Sequence, residues 1–282
     1  MSGNDDVTVV IPCFGHGEFL GEAVESALGQ EGGPPRVVVV DDGSTDDRTA
    51  RALDELPAEV QLLRQLNAGV GAARNAGAAA ARTPLLLMLD ADDRLRPGAL
   101  ATLRAPVSAD PALGFAYGDA QFFGAWQGRL AFPDFDAYRL LYRSIVTATS
   151  LMRREAFEAV GGFDTELPGY EDWDLYLGLL EHGRLGRRVP EVVLDYRRHE
   201  RSRLAGDRRE YRRNYRAIRS KHAALYARAG ELARASTLGP GGRLAYRTWW
   251  AWRPLPGALE QALYRVFFRV SARLRASSTS SA

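Results

Sequence analysis

Over the first 120 residues, short apolar runs alternate with helical patterns, the arrangement of an α/β sheet assembled from βαβ units. Residues 7–11 predict a strand and residues 19–28 an amphipathic helix. Residues 36–40 predict a second strand, and its valine run suits burial on both faces. A shorter strand is expected at 60–63, a small-residue helix at 69–82 and a fourth strand at 85–89. Pro97 suits the first turn of the helix that follows. Crossovers of this length make the sheet parallel and doubly wound, with a ligand crevice at the carboxyl ends of its strands. Beyond it the pattern loosens: one or two strands over 115–123, a short helix at 155–160, a helix over 172–181 and a last strand at 192–196. A helix over 208–228 places Tyr211, Tyr215, Ile218 and Leu225 on one face.

Composition narrows the class. With 46% apolar and 26% charged residues in 282, the chain is an ordinary globular protein, neither disordered nor collagen-like. Cys13 is the only cysteine, which removes disulfides and thiolate zinc sites, and a small buried filler is its expected role. No run of about 20 apolar residues is present. The start of the chain lacks a basic stretch ahead of an apolar one, so a cytoplasmic location is expected. The net charge of +2 hides a division: residues 201–282 hold 18 basic and 4 acidic side chains, residues 1–200 hold 19 and 31.

Three acidic clusters fall where the sheet places its crevice: Asp41 and Asp42 end the second strand, Asp90, Asp92 and Asp93 end the fourth, and Glu171, Asp172 and Asp174 open a later helix. Carboxylates drawn into one crevice repel one another unless a cation or hydrogen-bonding ligand lies among them. Hard oxygen donors suit Mg²⁺ or Mn²⁺ with phosphate oxygens completing the shell, which points to a nucleotide diphosphate substrate. Turn formation and helix capping would account for each cluster taken singly.

The segments VTVVIPCFGHGEFLGEAVESAL, VVVVDDGSTDD, NAGVGAARNAG, LLLMLDADDRLRPGAL and GGFDTELPGYEDWDLYLGLLEHG, in that order, resemble the family-2 glycosyltransferases of the GT-A fold over residues 7–203. The resemblance implies an inverting, metal-dependent transfer from a nucleotide diphosphate sugar, UDP- or dTDP-linked, to an acceptor hydroxyl in cell-surface polysaccharide or glycolipid synthesis. It places Pro12 and Phe14 at the base, with Gly15 where the family usually has a polar residue, and Asp42 or Asp41 on the base imide. Asn67, Gly71, Arg74 and Asn75 would pass beneath the ribose and diphosphate, Arg74 offering a fork to phosphate. Asp90, Asp92 and Asp93 match the DxD element; one carboxylate would reach the ribose and another the metal, Asp92 being the first choice. Asp172, beside Glu171, matches the general base, and His199 a histidine that reaches the diphosphate or metal. A sugar nucleotidyltransferase is the weaker enzymatic alternative, because residues 12–17 contain no Lys or Arg to hold a triphosphate. A non-catalytic sugar-nucleotide-binding scaffold is the alternative outside enzymology.

The resemblance divides the chain into a catalytic domain, 1–204, and a helical Arg- and Trp-rich extension, 205–282. Arg208, Arg209, Arg212, Arg213, Arg216 and Arg219 line one side of the helix over 208–228. Trp249, Trp250 and Trp252 follow, then an apolar stripe through Leu259, Leu263, Val266, Val270 and Leu274 with Arg265, Arg269 and Arg273 on another face. Two expectations stand together: attachment to an anionic membrane surface, or packing on the acidic catalytic domain or in a homodimer seam. No motif points to nucleic acid.

Overall fold

The computed structural model describes residues 3–167, 169–199 and 208–250. A nine-stranded sheet has helices on both faces. Its first half is parallel: β1 (Val7–Cys13), β2 (Arg36–Asp41), β3 (Val60–Arg64) and β4 (Leu85–Met88) lie in the order β3-β2-β1-β4. The valines of β1 and β2 divide between two cores. Val10, Val38 and Val40 join one with Ala73 and Trp173; Val9, Ile11, Val37 and Val39 join the other with Leu20, Leu53 and Leu100. Burial on both faces is why these strands read as continuous apolar runs.

Helices α1 (Gly17–Leu28), α2 (Asp47–Asp54), α3 (Val70–Ala80) and α4 (Ala99–Ala109) connect the parallel strands and the one that follows. The α2 segment was not expected from its polar sequence, DRTARALD; Asp46 caps it, accepting from Thr49 N at 2.8 Å, and Leu53 buries on the sheet. The small residues of α3 let it lie close on the sheet. A Cβ at Gly77 would overlap Val10 Cγ1 and come within 3.2 Å of Val40 Cγ2. Gly77→Ala is therefore expected to cost about 1–3 kcal/mol, read as a lower Tm, despite the better helix propensity of alanine.

The second half of the sheet mixes directions. After the two-residue β5 (Arg94–Leu95) come β6 (Leu113–Gly124), β7 (Gly128–Leu130), β8 (Leu151–Arg153) and β9 (Leu185–Arg198), completing the order β4-β8-β6-β9-β5, with β7 paired to β6. β8 is antiparallel to β4 and β6, whereas β9 runs parallel to β6. β9 extends well beyond the expected residues 192–196. Its first half is charged and partly exposed, so it carries no apolar alternation. The fully buried Asp119 of β6 accepts from Arg129 at 2.8 Å and from Arg188 of β9 at 2.9 Å, an ionic tie across this half of the sheet.

Helices α5 (Ala137–Leu140), α6 (Arg154–Ala159) and α7 (Glu171–Glu181) precede β9, and α8 (Arg208–Lys221), α9 (Ala223–Ala227), α10 (Ala229–Ala235) and α11 (Pro240–Ala245) follow it. α8 packs its expected apolar face: Tyr211, Tyr215 and Ile218 enter the cluster that holds Trp173 of α7, and Leu225 joins from α9. Asp174, grouped in sequence with Glu171 and Asp172, turns toward α8 and accepts from Lys221 Nζ at 2.8 Å. Both nitrogens of the buried His222 face carboxylates, Asp174 Oδ1 and Glu181 Oε2, each at 2.9 Å. Only the imidazolium donates to both, and these carboxylates raise its pKa against the opposing effect of burial. The stabilisation is complete below the unfolded value, near pH 6.5, and is lost as pH rises through the raised folded value. Melting curves are therefore expected to separate wild type from His222→Gln more at pH 6 than at pH 9.

No helix among the described residues is long and apolar enough to cross a membrane. Trp252, Arg253 and the stripe from Leu259 to Leu274 with its arginines lie outside the described residues, as does most of the membrane expectation. Within α8, Arg212, Arg213, Arg216 and Arg219 are exposed, opposite the packed face.

Candidate active site

The ends of β1 to β4 and the start of α7 bring the acidic clusters to one edge of the sheet. Asp42 follows β2 and is buried. Its Oδ1 accepts from Gln65 Nε2 at 2.7 Å and Ala68 N at 2.9 Å, and its Oδ2 from Gly69 N at 2.9 Å. One carboxylate thus holds the loop between β3 and α3, leaving Asn67 exposed at its crest. Gly43, at φ 78°, passes under that loop, where a Cβ would stand 2.8 Å from Asn67 N. Asp41 Oδ1 accepts from Ser44 N at 2.9 Å and shapes the same turn. On the neighbouring loop Pro12 is buried, but Phe14 is 54% exposed, a free aromatic face at the mouth of the crevice. Burial pushes the Cys13 thiol up to about 11, in keeping with a filler rather than a nucleophile.

α3 carries the connection from this loop to the other clusters. Gly71 is buried against Phe163, and Asn75 is engaged with the backbone: its Nδ2 donates to Phe163 O at 2.8 Å and its Oδ1 accepts from Phe163 N at 2.9 Å. Asn75 therefore fixes the Gly161-Gly162-Phe163 turn. Arg74 is 4% exposed. Its Nη2 donates to Asp90 Oδ1 at 2.7 Å and its Nη1 to Glu171 Oε1 at 3.1 Å, with the guanidinium 5.3 Å from the centre of the Phe163 ring. The family resemblance implies a fork aimed at phosphate; in the structure two carboxylates, 81 positions apart in the chain, occupy it.

Glu171 and Asp172 open α7, one residue earlier than expected, and the residue before them is strained. Tyr170 has φ 64° and ψ 28°, the left-handed region that a bulky side chain rarely enters, and its ring packs against Trp173 and Tyr211. Asp172 Oδ1 accepts from Trp173 N at 2.8 Å. Burial first, then the adjacent Glu171 carboxylate, raises the Asp172 pKa to about 6, against the lowering effects of that hydrogen bond and of Arg74.

The Asp90–Asp93 loop is closed by the end of β9. Asp93 is buried and accepts from Arg197 N at 2.7 Å; burial and the charges of Asp90 and Asp92 hold its pKa well above the ordinary carboxylate value. Arg197 also donates through Nε to Asp92 O at 2.8 Å and through Nη2 to Glu22 at 2.7 Å, and stacks over Phe19 and Phe123. His199 Nε2 lies 2.9 Å from Asp92 Oδ2, with Phe19 against its ring. Arg197 escaped the sequence reading although it stands two positions before His199. The signal available was the unbroken run Tyr196-Arg197-Arg198-His199 at a strand end.

Among the described residues no three His, Cys, Asp or Glu side chains converge as a ready-made metal cage. A carboxylate and an imidazole placed together, beside two further carboxylates, suit a cation that takes one or two protein ligands and completes its shell from a diphosphate.

The first family model to match, Glycosyl transferase family 2, spans residues 8–161, and a second, N-terminal domain of galactosyltransferase, spans residues 129–202. The succinoglycan biosynthesis protein ExoO of Rhizobium meliloti (strain 1021) is 43% identical over 96 residues, 34% of this chain and 28% of that protein. The chondroitin synthase of Escherichia coli is 30% identical over 185 residues, 63% of this chain and 27% of that protein. The chain thus matches little more than a quarter of the length of either relative. The structure of S. aureus TarS 1-349 in complex with UDP-GlcNAc superposes with a TM-score of 0.64 at 16% identity, covering 85% of this chain and 70% of that one, so the fold is shared. With a GT-A-type sheet, its acidic motifs at the expected strand ends and a family model over more than half of its length, the chain belongs to glycosyl transferase family 2.

Proposed function

We propose that this protein transfers a sugar from a UDP- or dTDP-linked donor to an acceptor hydroxyl with inversion, within polysaccharide or glycolipid synthesis, and that Asp172 is the general base. The observation that carries the reading is the Arg74 bridge, which ties Asp90 of the DxD loop to Glu171 beside Asp172. Asp172's pKa of about 6 lies far nearer neutrality than an ordinary aspartate's and supports the base role beside the Asp90 loop. The names of the relatives, in chondroitin and succinoglycan synthesis, and the UDP-GlcNAc bound to TarS support the same substrate class.

Each residue then has a task. Phe14 offers its exposed ring to the base, and Asp42 holds the loop bearing Asn67 against the ribose side. Arg74 holds Asp90 and Glu171 in place through its two charge-assisted hydrogen bonds. Asp172 takes the proton of the attacking hydroxyl. Asp92 and His199 would hold Mn²⁺ or Mg²⁺, which when bound stabilises charge on the departing nucleotide diphosphate.

The test follows donor turnover by proton NMR with UDP-sugars and Mn²⁺. Released sugar of inverted anomeric configuration, lost on Asp92→Ala, is the expected result. Retained configuration, or release unaffected by Asp92→Ala, contradicts it.

A further inference from the structure

A second concave site lies away from the acidic crevice. α8, α9, the start of α10 and the turn after α11 enclose a cavity of about 500 Å³ together with Tyr142. Among the described residues four arginines line it, Arg212, Arg216, Arg219 and Arg247, and no carboxylate does. Among the described residues Arg216, Arg219 and Arg247 form no ion pair, and Arg219 instead stands over the Tyr226 ring at 5.6 Å. Like charges around one hollow repel one another unless an anion enters.

The walls are aromatic. Tyr215 is 5% exposed and stacks on Trp173 at 5.8 Å. Its ring lines the cavity, while its hydroxyl is buried beside Arg219 and Tyr226. Tyr226 donates its own hydroxyl to Leu141 O, which fixes its ring in the wall.

We propose that this cavity binds the phosphoryl group of a phosphate-bearing molecule. Guanidinium forks match phosphate oxygens bidentately. The volume exceeds that of phosphate alone, and the Tyr142, Tyr215 and Tyr226 rings accommodate the organic part that carries it. Residues 251–282 are a poor occupant: they hold five arginines and one glutamate, a charge of the same sign as the cavity. Trp173, beneath Tyr215, is the chain neighbour of Asp172, so the natural use of the site is to anchor a phosphorylated acceptor. That use rests on the transferase reading; the binding does not.

The experiment is calorimetric titration of inorganic pyrophosphate into the full chain, with EDTA present so that the metal-dependent donor crevice is silent. Saturable binding is expected, weakened at least tenfold by the double substitution R216Q/R219Q and left unchanged by Tyr215→Phe, which keeps the ring that lines the cavity. The response of Tm to UDP should be the same in all three proteins, which separates this site from the donor crevice and verifies folding. A gain for farnesyl diphosphate over pyrophosphate assigns the phosphate to a lipid, and a gain for glucose 1-phosphate over inorganic phosphate assigns it to a glycan; each supports the site. No binding by wild type, or equal affinity in the three proteins, overturns it.

Discussion

Asp172→Asn is expected to lower kcat by about 10²–10⁴-fold, the usual contribution of a positioned general base, while leaving the UDP-induced rise in Tm intact. The side chain is isosteric, and its single recorded hydrogen bond, from Trp173 N, survives on the amide oxygen. The wild-type pH profile follows from the same geometry. Below a pKa of about 6 the carboxyl holds its proton, so the rate should fall tenfold per pH unit on the acid side and level off above it. An aspartate left at its ordinary value would place that limb near pH 4. Stability carries the opposite sign. The folded state holds the Asp172 proton more tightly than the unfolded chain, so ionising it destabilises the fold, and Asp172→Asn should melt higher than wild type at pH 8. An equal or lower Tm together with an unchanged rate would remove Asp172 from the catalytic role.

The second large effect is expected at Arg74. Arg74→Met leaves Asp90 and Glu171 without their shared partner in a largely buried setting, and breaking such a pair typically costs about 3–5 kcal/mol. For a chain of this size that is a fall in Tm on the order of 10 °C. Arg74 also lowers the pKa of Asp172, so its loss should move the acid limb of the pH profile to higher pH. Arg74→Lys keeps the charge but cannot span both carboxylates with a planar fork. It should restore part of the stability and return the acid limb toward its wild-type position. A purely structural arginine would lower Tm without moving the pH profile.

Much of the fold and site was legible because the signals are local. The valines of β1 and β2 announce a doubly buried sheet, and Asp42, Asp90 and Asp172 each sit at an element end visible in the sequence. What escaped is long-range. Nothing near Arg74 in the chain says that its fork closes on Glu171, 97 positions away, instead of standing open to phosphate. Asn75 likewise looked like a polar neighbour of the donor and is spent on the Phe163 backbone. Asp174 belongs in sequence to the catalytic cluster, yet one helical step turns it to Lys221 and His222. β9 was read at less than half its length because its exposed residues carry no apolar period, and its reach is what delivers Arg197 and His199 to the Asp90–Asp93 loop. The apolar face of α8 was read correctly, but its partner, Trp173, could not be named from periodicity.

The most direct test of the central claim is the melting temperature of the full chain against UDP, dTDP, GDP and ADP, each with and without Mn²⁺. A ligand that binds only the folded state stabilises it by about 2.7 kcal/mol at one hundred times its Kd, so even a millimolar donor registers. The account predicts a Mn²⁺-dependent rise with UDP or dTDP, absent with GDP and ADP and abolished by Asp92→Ala. No rise with any nucleotide, with the metal present, would contradict it.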